Sequence, residues 1–204
     1  MIDFLIEIDR QLFIYLNGLH TTWLDPIMYY ASKKFFWIPF YALLLWFCYK
    51  HYGWKTTLVI LLFIAVLITM SDQISGFLKK TTQRLRPVRD EELEGIVHFV
   101  KGRTGGRYGF VSGHASNSFA LAVFVIHILK HKVKYIIPVM IGWAGLKSYS
   151  RIYLGAHFPG DILGGILLGL VCAFFIVKVW DYFYKVDSAD NLPKAPINPE
   201  LINQ

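Results

Sequence analysis

Apolar and polar positions alternate along this chain in blocks, and the apolar blocks are longer than the core-facing stripes of an ordinary soluble fold. Near the start, Leu5, Ile8, Leu12, Tyr15, Leu16 and Leu19 recur at helical spacing, with Asp3, Glu7, Arg10 and Asn17 on the other side. That pattern predicts an amphipathic helix lying in a membrane interface. Asp25-Pro26 reads as a helix start, a cap followed by proline at the first position. The aromatic-rich run from about Phe35 to Tyr49, behind Lys33 and Lys34, predicts the first membrane span. A second span runs from about Thr56 to Met70 and continues, now polar, through Ser71, Asp72, Gln73 and Ser75 to Lys79 and Lys80. Helical periodicity puts Asp72, Gly76 and Lys79 on one face of it. Three further spans are predicted from His114 to near Lys130, from about Tyr135 to Tyr149, and from about Pro159 to Phe183.

A span needs about 20 residues, so five of them and an interfacial helix nearly exhaust the 204 residues. The expected fold is therefore all-α, an integral membrane helical bundle. Residues 1–185 form a single membrane-embedded domain, and the polar, proline-rich residues 186–204 form a disordered cytoplasmic tail. Gly160, Gly164, Gly165 and Gly169, with the small residues Ala115, Ser116, Ser118, Ala120 and Ala122, suit close packing between helices.

Composition agrees, because 55% of the residues are hydrophobic and 17% aromatic, against an apolar share of about 45–50% in soluble domains. The net charge of +7 fits cytoplasmic loops and anionic lipid better than nucleic acid, since no stripe of interleaved basic and aromatic residues accompanies it. Cys48 and Cys172 lie inside apolar runs and read as small buried hydrophobes, not a disulfide. The first residues lack the basic start and small-residue cleavage site of a signal peptide, so the first spanning helix is expected to direct insertion.

Charge is distributed unevenly between the two membrane faces. Two spans separate the loop from Lys79 to Val111 from the loop from Ser150 to Asp161, so both fall on one face. The other face receives Lys50, Lys55, Lys130, Lys132, Lys134 and Lys185 with hardly an acid before the tail. By the positive-inside rule that lysine face is cytoplasmic, and the loop face is extracytoplasmic. A multi-pass protein of the inner, cytoplasmic membrane is expected, with its chemistry facing the periplasm or cell exterior.

The loop face carries three unusual clusters: KKTTQRLRP (Lys79 to Pro87), VSGH (Val111 to His114) and SRIYLGAHFPGD (Ser150 to Asp161). Ionisable groups at the edge of an apolar span are costly and read as functional by default. Lys79, Arg86 and Arg151 supply three positive charges suited to phosphate oxygens. Ser112 and Gly113 precede a helix, whose free N–H groups and positive end point toward the same oxygens. His157 and Asp161 are four apart, so the carboxylate can accept Nδ1–H and leave Nε2 as a lone-pair donor. That makes His157 the candidate nucleophile, with Asp161 stabilising the cation formed when the ring bonds to phosphorus. His114 is the candidate acid for the departing oxygen and then the base for water.

The order K-x6-R-P, S-G-H, S-R-x5-H-x3-D resembles the type 2 phosphatidic acid phosphatase superfamily, carried by Lys79, Arg86, Pro87, Ser112, Gly113, His114, Ser150, Arg151, His157 and Asp161. The resemblance runs from the second span to the fifth and implies a phosphohistidine mechanism with neither metal nor cofactor. Val111 departs from the proline that the family usually has before S-G-H. The expected activity is hydrolysis of a lipid phosphomonoester or pyrophosphate whose chains remain in the bilayer. Undecaprenyl pyrophosphate is the first choice, followed by phosphatidylglycerophosphate, phosphatidic acid and lipid A 1-phosphate. A lipid phosphotransferase using the same intermediate is the alternative within enzymes, and a non-catalytic anion or lipid transporter the alternative outside them.

Taken singly, each piece has a plainer reading: Lys79 or Arg86 as a snorkelling cation, S-G-H as a helix cap, His157 as a structural histidine. Order, spacing and a common face favour the enzyme. His127 and His131, at the opposite end of the third span, read as structural. Asp72 either orients Lys79 or simply pairs with it. Asp90, Glu91, Glu92 and Glu94 read as a solvated loop or helix start before a Mg²⁺ site. Lys101, Arg103 and Arg107 fit a headgroup contact or a solvated loop.

Overall fold

A computed structural model of the protein describes residues 2–100 and 105–184. Among these residues the structure is all-helical, with one isolated bridge between Leu85 and Tyr108. The helices are α1 (Ile2–Gly18), α2 (Leu24–Ser32), α3 (Ile38–Thr82), α4 (Gly113–Leu129), α5 (Ile136–Tyr153) and α6 (Pro159–Phe183). Short 3₁₀ turns occupy Lys34–Trp37, Pro87–Arg89 and Glu91–Leu93.

Gly53, at φ 72° and ψ 172°, divides α3 into two helical segments, residues 38–52 and 54–82. Only glycine adopts that backbone without a steric penalty, so the sharp reversal falls there. With this break the apolar helical segments number five, at the places the hydropathy pattern predicts. By length and hydropathy alone Lys34–Thr82 and Pro159–Phe183 qualify as spans, while α4 is apolar but shorter. Lys147 and Arg151 dilute the hydropathy of α5. Exposed Leu58, Leu62, Leu163, Leu167 and Phe174 cover the outer faces of these helices, a surface suited to lipid chains.

Between the helices, α4 packs most extensively on α6. A Cβ at Gly165 would lie 2.5 Å from the Ser112 carbonyl oxygen, and one at Gly169 would collide with that of Ser116. Glycine therefore sets how closely α6 approaches α4. Below that contact Phe63, Phe124 and Trp180 form an aromatic core. Cys48 and Cys172 are buried and free, as expected. The Tyr52 hydroxyl donates to the Ile128 carbonyl, and His127 pairs with Asp181 at 2.7 Å. Those contacts tie the Gly53 turn and the C-termini of α4 and α6 into the end of the bundle opposite the charged loops.

One expectation is refined and two change. First, α1 is oriented with its apolar stripe outward: Leu5, Ile8, Leu12, Tyr15 and Leu19 are exposed, while Phe13 and Asn17 are buried. The Asn17 amide donates to the carbonyls of His98, Ile152 and Tyr153, so this polar face docks on protein and leaves the apolar face to the bilayer. Second, Asp25 does not cap a helix. Its carboxylate accepts from the Tyr153 hydroxyl at 2.6 Å and meets His98 at 2.9 Å, and Trp23 occupies the cap of the short α2. Third, α5 continues to Tyr153, so Ser150 and Arg151 belong to its last turn and not to a loop. The tail at 186–204, Lys185, Lys101 and Arg103 lie outside the described residues.

Candidate active site

The turn joining α5 to α6 carries His157. Gly155, at φ 68°, reverses the chain there, and the N–H groups of Ala156 and His157 both donate to the Arg151 carbonyl. Pro159 then opens α6, and Asp161 reaches back to accept the Phe158 N–H at 3.1 Å. This local hydrogen bonding fixes His157 and Asp161 on one side of the helix start, both fully buried.

The ring of His157 lies between two side-chain partners, with the Gly109 carbonyl as a backbone acceptor beside them. Nδ1 is 3.3 Å from Asp161 Oδ2, and Nε2 is 2.9 Å from an Arg86 N–H group that lies equally close to the Ala156 carbonyl. A guanidinium only donates, so Nε2 must accept. The proton consequently sits on Nδ1, facing Asp161. Burial, then the charges of Arg86, Arg151 and Lys79, hold His157 well below the usual histidine range. The ring is neutral at pH 7.

Around it stand cations that make no direct ion pair with the described residues. Among the described residues neither Lys79, Arg86 nor Arg151 has a carboxylate within ion-pair distance. Lys79 donates to the carbonyl and hydroxyl of Ser75, which settles the Asp72 alternatives against a direct ion pair. The buried Nε atoms of Arg86 and Arg151 have no hydrogen-bond acceptor among the described residues.

Gly113 begins α4 against this group. A Cβ there would come within 3.1 Å of Ser75 Oγ and 3.4 Å of Lys79 Nζ. Ser112 has a narrower role than the sequence suggests: its N–H already donates to the Asp161 carbonyl, and its hydroxyl caps the Ala115 N–H. The N–H groups of Gly113 and His114 are the ones at this helix start without a protein acceptor among the described residues. The His114 ring is exposed to the cavity and makes no hydrogen bond to the described residues.

Lys79, Arg86, Gly113, His114 and His157 line one cavity of about 780 Å³, which continues past Tyr41, Thr69 and Asn117 to Ile60, Cys48 and Val125. Arg151, Asp161 and Ser112 are buried behind its wall. The cavity thus runs from charge, through a polar layer, into an apolar end in the bundle. Val111 is buried against Gly164, where a Cβ would meet its methyl at 2.8 Å.

Sequence reasoning missed Arg84 and Asp9. Arg84 donates to Asp161 at 2.9 Å and to Asp9 at 2.5 Å, and Asp9 also accepts the Gly160 N–H at 2.7 Å. Asp90 and Glu92 pair with Arg10 of α1, which answers the Mg²⁺ alternative with a structural one. The described residues contain no group of three or more His, Cys, Asp or Glu arranged to hold a metal.

Residues 57–185 match the PAP2 superfamily. The chain belongs to that superfamily. It is a membrane lipid phosphatase, a hydrolase of phosphoric esters. A lipid A 4′-phosphatase of Bacteroides thetaiotaomicron is 41% identical over 171 residues, 83% of this chain and 75% of that protein. One from Porphyromonas gingivalis is 34% identical over 181 residues, 88% of this chain and 76% of that protein. The crystal structure of a transmembrane PAP2-type phosphatidylglycerolphosphate phosphatase from Bacillus subtilis shares the fold, with a TM-score of 0.66 at 22% identity over 91% of this chain and 89% of the other.

Proposed function

We propose that this PAP2 phosphatase removes a phosphate monoester from a membrane glycolipid at the extracytoplasmic surface, with His157 as nucleophile. The observation that carries this reading is the fixed tautomer of His157, beside cations that lack counter-charges and open on a cavity with an apolar end. An entering phosphate draws Arg86 to its own oxygens and frees the Nε2 lone pair. Lys79, Arg86 and the N–H groups of Gly113 and His114 stabilise the charge on the equatorial oxygens, and Arg151 adds its positive charge from behind the cavity wall. Nε2 attacks phosphorus, Asp161 offsets the imidazolium charge, and His114 gives its proton to the departing sugar or alcohol oxygen. Water, deprotonated by His114, then cleaves the phosphohistidine and returns His157 as the free base.

The substrate reading rests on two supports. Two of the similar proteins, at 41% and 34% identity, bear the name lipid A 4′-phosphatase, which moves that phosphate ahead of undecaprenyl pyrophosphate. A layer with Tyr41, Thr69, Gln73 and Asn117 lies between the clamp and the apolar end, which suits the hydroxyls and amides of a sugar headgroup. The lysine-rich loops at the far end of the bundle support an extracytoplasmic site, and residues 1–185 acting as one domain fits α1 docking beside the site.

Purified protein is to be given lipid A 4′-phosphate, undecaprenyl pyrophosphate, phosphatidylglycerophosphate and phosphatidic acid, with phosphate release measured. The lipid A phosphate should give the highest kcat/KM. A clear preference for another lipid would overturn the glycolipid assignment, and no release from any of them would overturn the catalytic one.

A further inference from the structure

Lys147 is used by none of the steps above, yet it is almost completely buried and lines the same cavity. It lies one helical turn from Arg151 on α5, about 6 Å along the axis and toward the apolar end. Its ammonium donates to the Tyr41 hydroxyl at 3.3 Å and rests 5.1 Å from the Trp143 ring centre. Among the described residues it has no carboxylate partner and no other hydrogen-bond acceptor. A ring face offsets part of the cost of burying a cation. A hydroxyl and a ring leave two of three N–H donors unused and the charge without a counterion.

We propose that Lys147 and Tyr41 form a second anion subsite, which binds an oxyanion carried by the substrate lipid on the leaving-group side of the scissile phosphate. The placement supports it: the clamp holds the phosphate in the Arg86 and His157 layer, and the departing portion of the lipid must pass the Lys147 layer to reach the apolar end. The ligand class is a phosphorylated lipid that carries a second oxyanion, a phosphate or a carboxylate, beyond the scissile phosphate; on the glycolipid proposed above, that anion is borne by the headgroup. This inference rests on the clamp holding the scissile phosphate.

Non-hydrolysable probes test the subsite without turnover. Decyl methylenediphosphonate carries the second anion, and decyl phosphonate lacks it. The wild-type protein should prefer the former by about 10–100-fold, the worth of a hydrogen-bonded charge pair. In Lys147→Gln that preference should collapse to within about threefold, while Lys147→Arg should retain most of it. A wild-type protein without the preference, or a Lys147→Gln that keeps it, would overturn the subsite. A second measurement needs no variant: cyanate carbamylation of Lys147, read by mass spectrometry, should be blocked by the diphosphonate far better than by decyl phosphonate. Equal protection by both, or protection by decyl phosphonate plus free inorganic phosphate, would overturn a lipid-borne second anion. Vanadate competition with decyl phosphonate checks the clamp separately, so failure of the clamp and failure of the subsite give different results.

Discussion

The starts of α4 and α6 lie side by side at the site, and they treat charge in opposite ways. At α6 the protein supplies its own anions: Asp9 accepts the Gly160 N–H, Asp161 accepts that of Phe158, and Arg84 pairs with both carboxylates. At α4, among the described residues, the N–H groups of Gly113 and His114 have no protein acceptor, and Lys79, Arg86 and Arg151 have no carboxylate within ion-pair distance. Both helix ends attract negative charge. One is neutralised on folding, and the other is left for a ligand to neutralise. The difference separates groups that position the nucleophile from groups that hold phosphate, a distinction that residue type alone does not make.

The largest effect is expected where the comparison divides the histidines. His157 is held by Asp161 and Arg86, whereas the His114 ring has no hydrogen-bond partner among the described residues. His157→Ala should abolish phosphorylation of every substrate. His114→Ala should lose about 10²–10⁴-fold on a lipid phosphate, the usual worth of a general acid. An aryl phosphate has a good leaving group and needs little protonation. The single-turnover burst of p-nitrophenol should therefore recover in His114→Ala and stay absent in His157→Ala. Equal burst defects would break the assignment.

Much of this end of the molecule was legible before folding. Lys79, Arg86, His114, His157 and Asp161 are local motifs, and helical spacing already places Asp161 against His157. Gly165 and Gly169 announce the close α4 and α6 contact by their lack of a side chain. Arg84 and Asp9 were illegible because their partners lie 75 or more positions away in sequence, and nothing local marks them. What the polar face of α1 packs against was hidden for a related reason. Amphipathicity fixes that a helix has two faces, but a buried amide with three carbonyl partners puts the polar one against protein. Ser112 looked like a free anion donor because only the fold brings the Asp161 carbonyl to its N–H.

The unpaired side of the comparison makes a prediction that separates activity from stability. Arg151→Ala should lower kcat/KM about 10²–10³-fold, the range for removing a charge-stabilising donor, and weaken vanadate inhibition in parallel. Because Arg151 is buried with no ion-pair partner among the described residues, its removal should leave the melting temperature in detergent unchanged or raised. The pH profile gives a second reading. Arg151 helps hold His157 below the usual histidine value, so in the native site the free base persists as pH falls through about 6.5. Losing that cation raises the His157 value and moves the acid limb of kcat/KM to higher pH. An unchanged limb would place Arg151 too far from the ring to act.

The paired side behaves in the opposite way. Arg84→Gln leaves Asp9 and the fully buried Asp161 facing each other without their shared cation. Breaking a buried pair costs about 3–5 kcal/mol, and Arg84 is partly exposed, so about 2–3 kcal/mol and a melting shift of about 5–10 °C are expected. kcat should fall about tenfold as Asp161 loosens from His157, with vanadate affinity held within about threefold. A proportional loss of vanadate binding would move Arg84 into the clamp and erase the distinction between the two helix starts.

The smallest effect tests whether α1 is part of the positioning machinery or only lies against it. Asp9 joins α1 to both Arg84 and the start of α6, so its two oxygens do different work. Asp9→Asn keeps an oxygen for the Gly160 N–H but sets an amide against Arg84. Arg84 retains Asp161, so kcat should fall no more than about threefold. The informative quantity is the cycle with Arg84→Gln. With Arg84 already gone, the Asp9 carboxylate only repels Asp161, and neutralising it should then stabilise the protein. The double variant should melt above Arg84→Gln alone, while Asp9→Asn by itself melts below the wild type. That reversal of sign is the signature of one shared cation between two carboxylates. Strictly additive shifts would mean that Asp9 acts through the Gly160 N–H alone and that α1 reaches His157 by no electrostatic route.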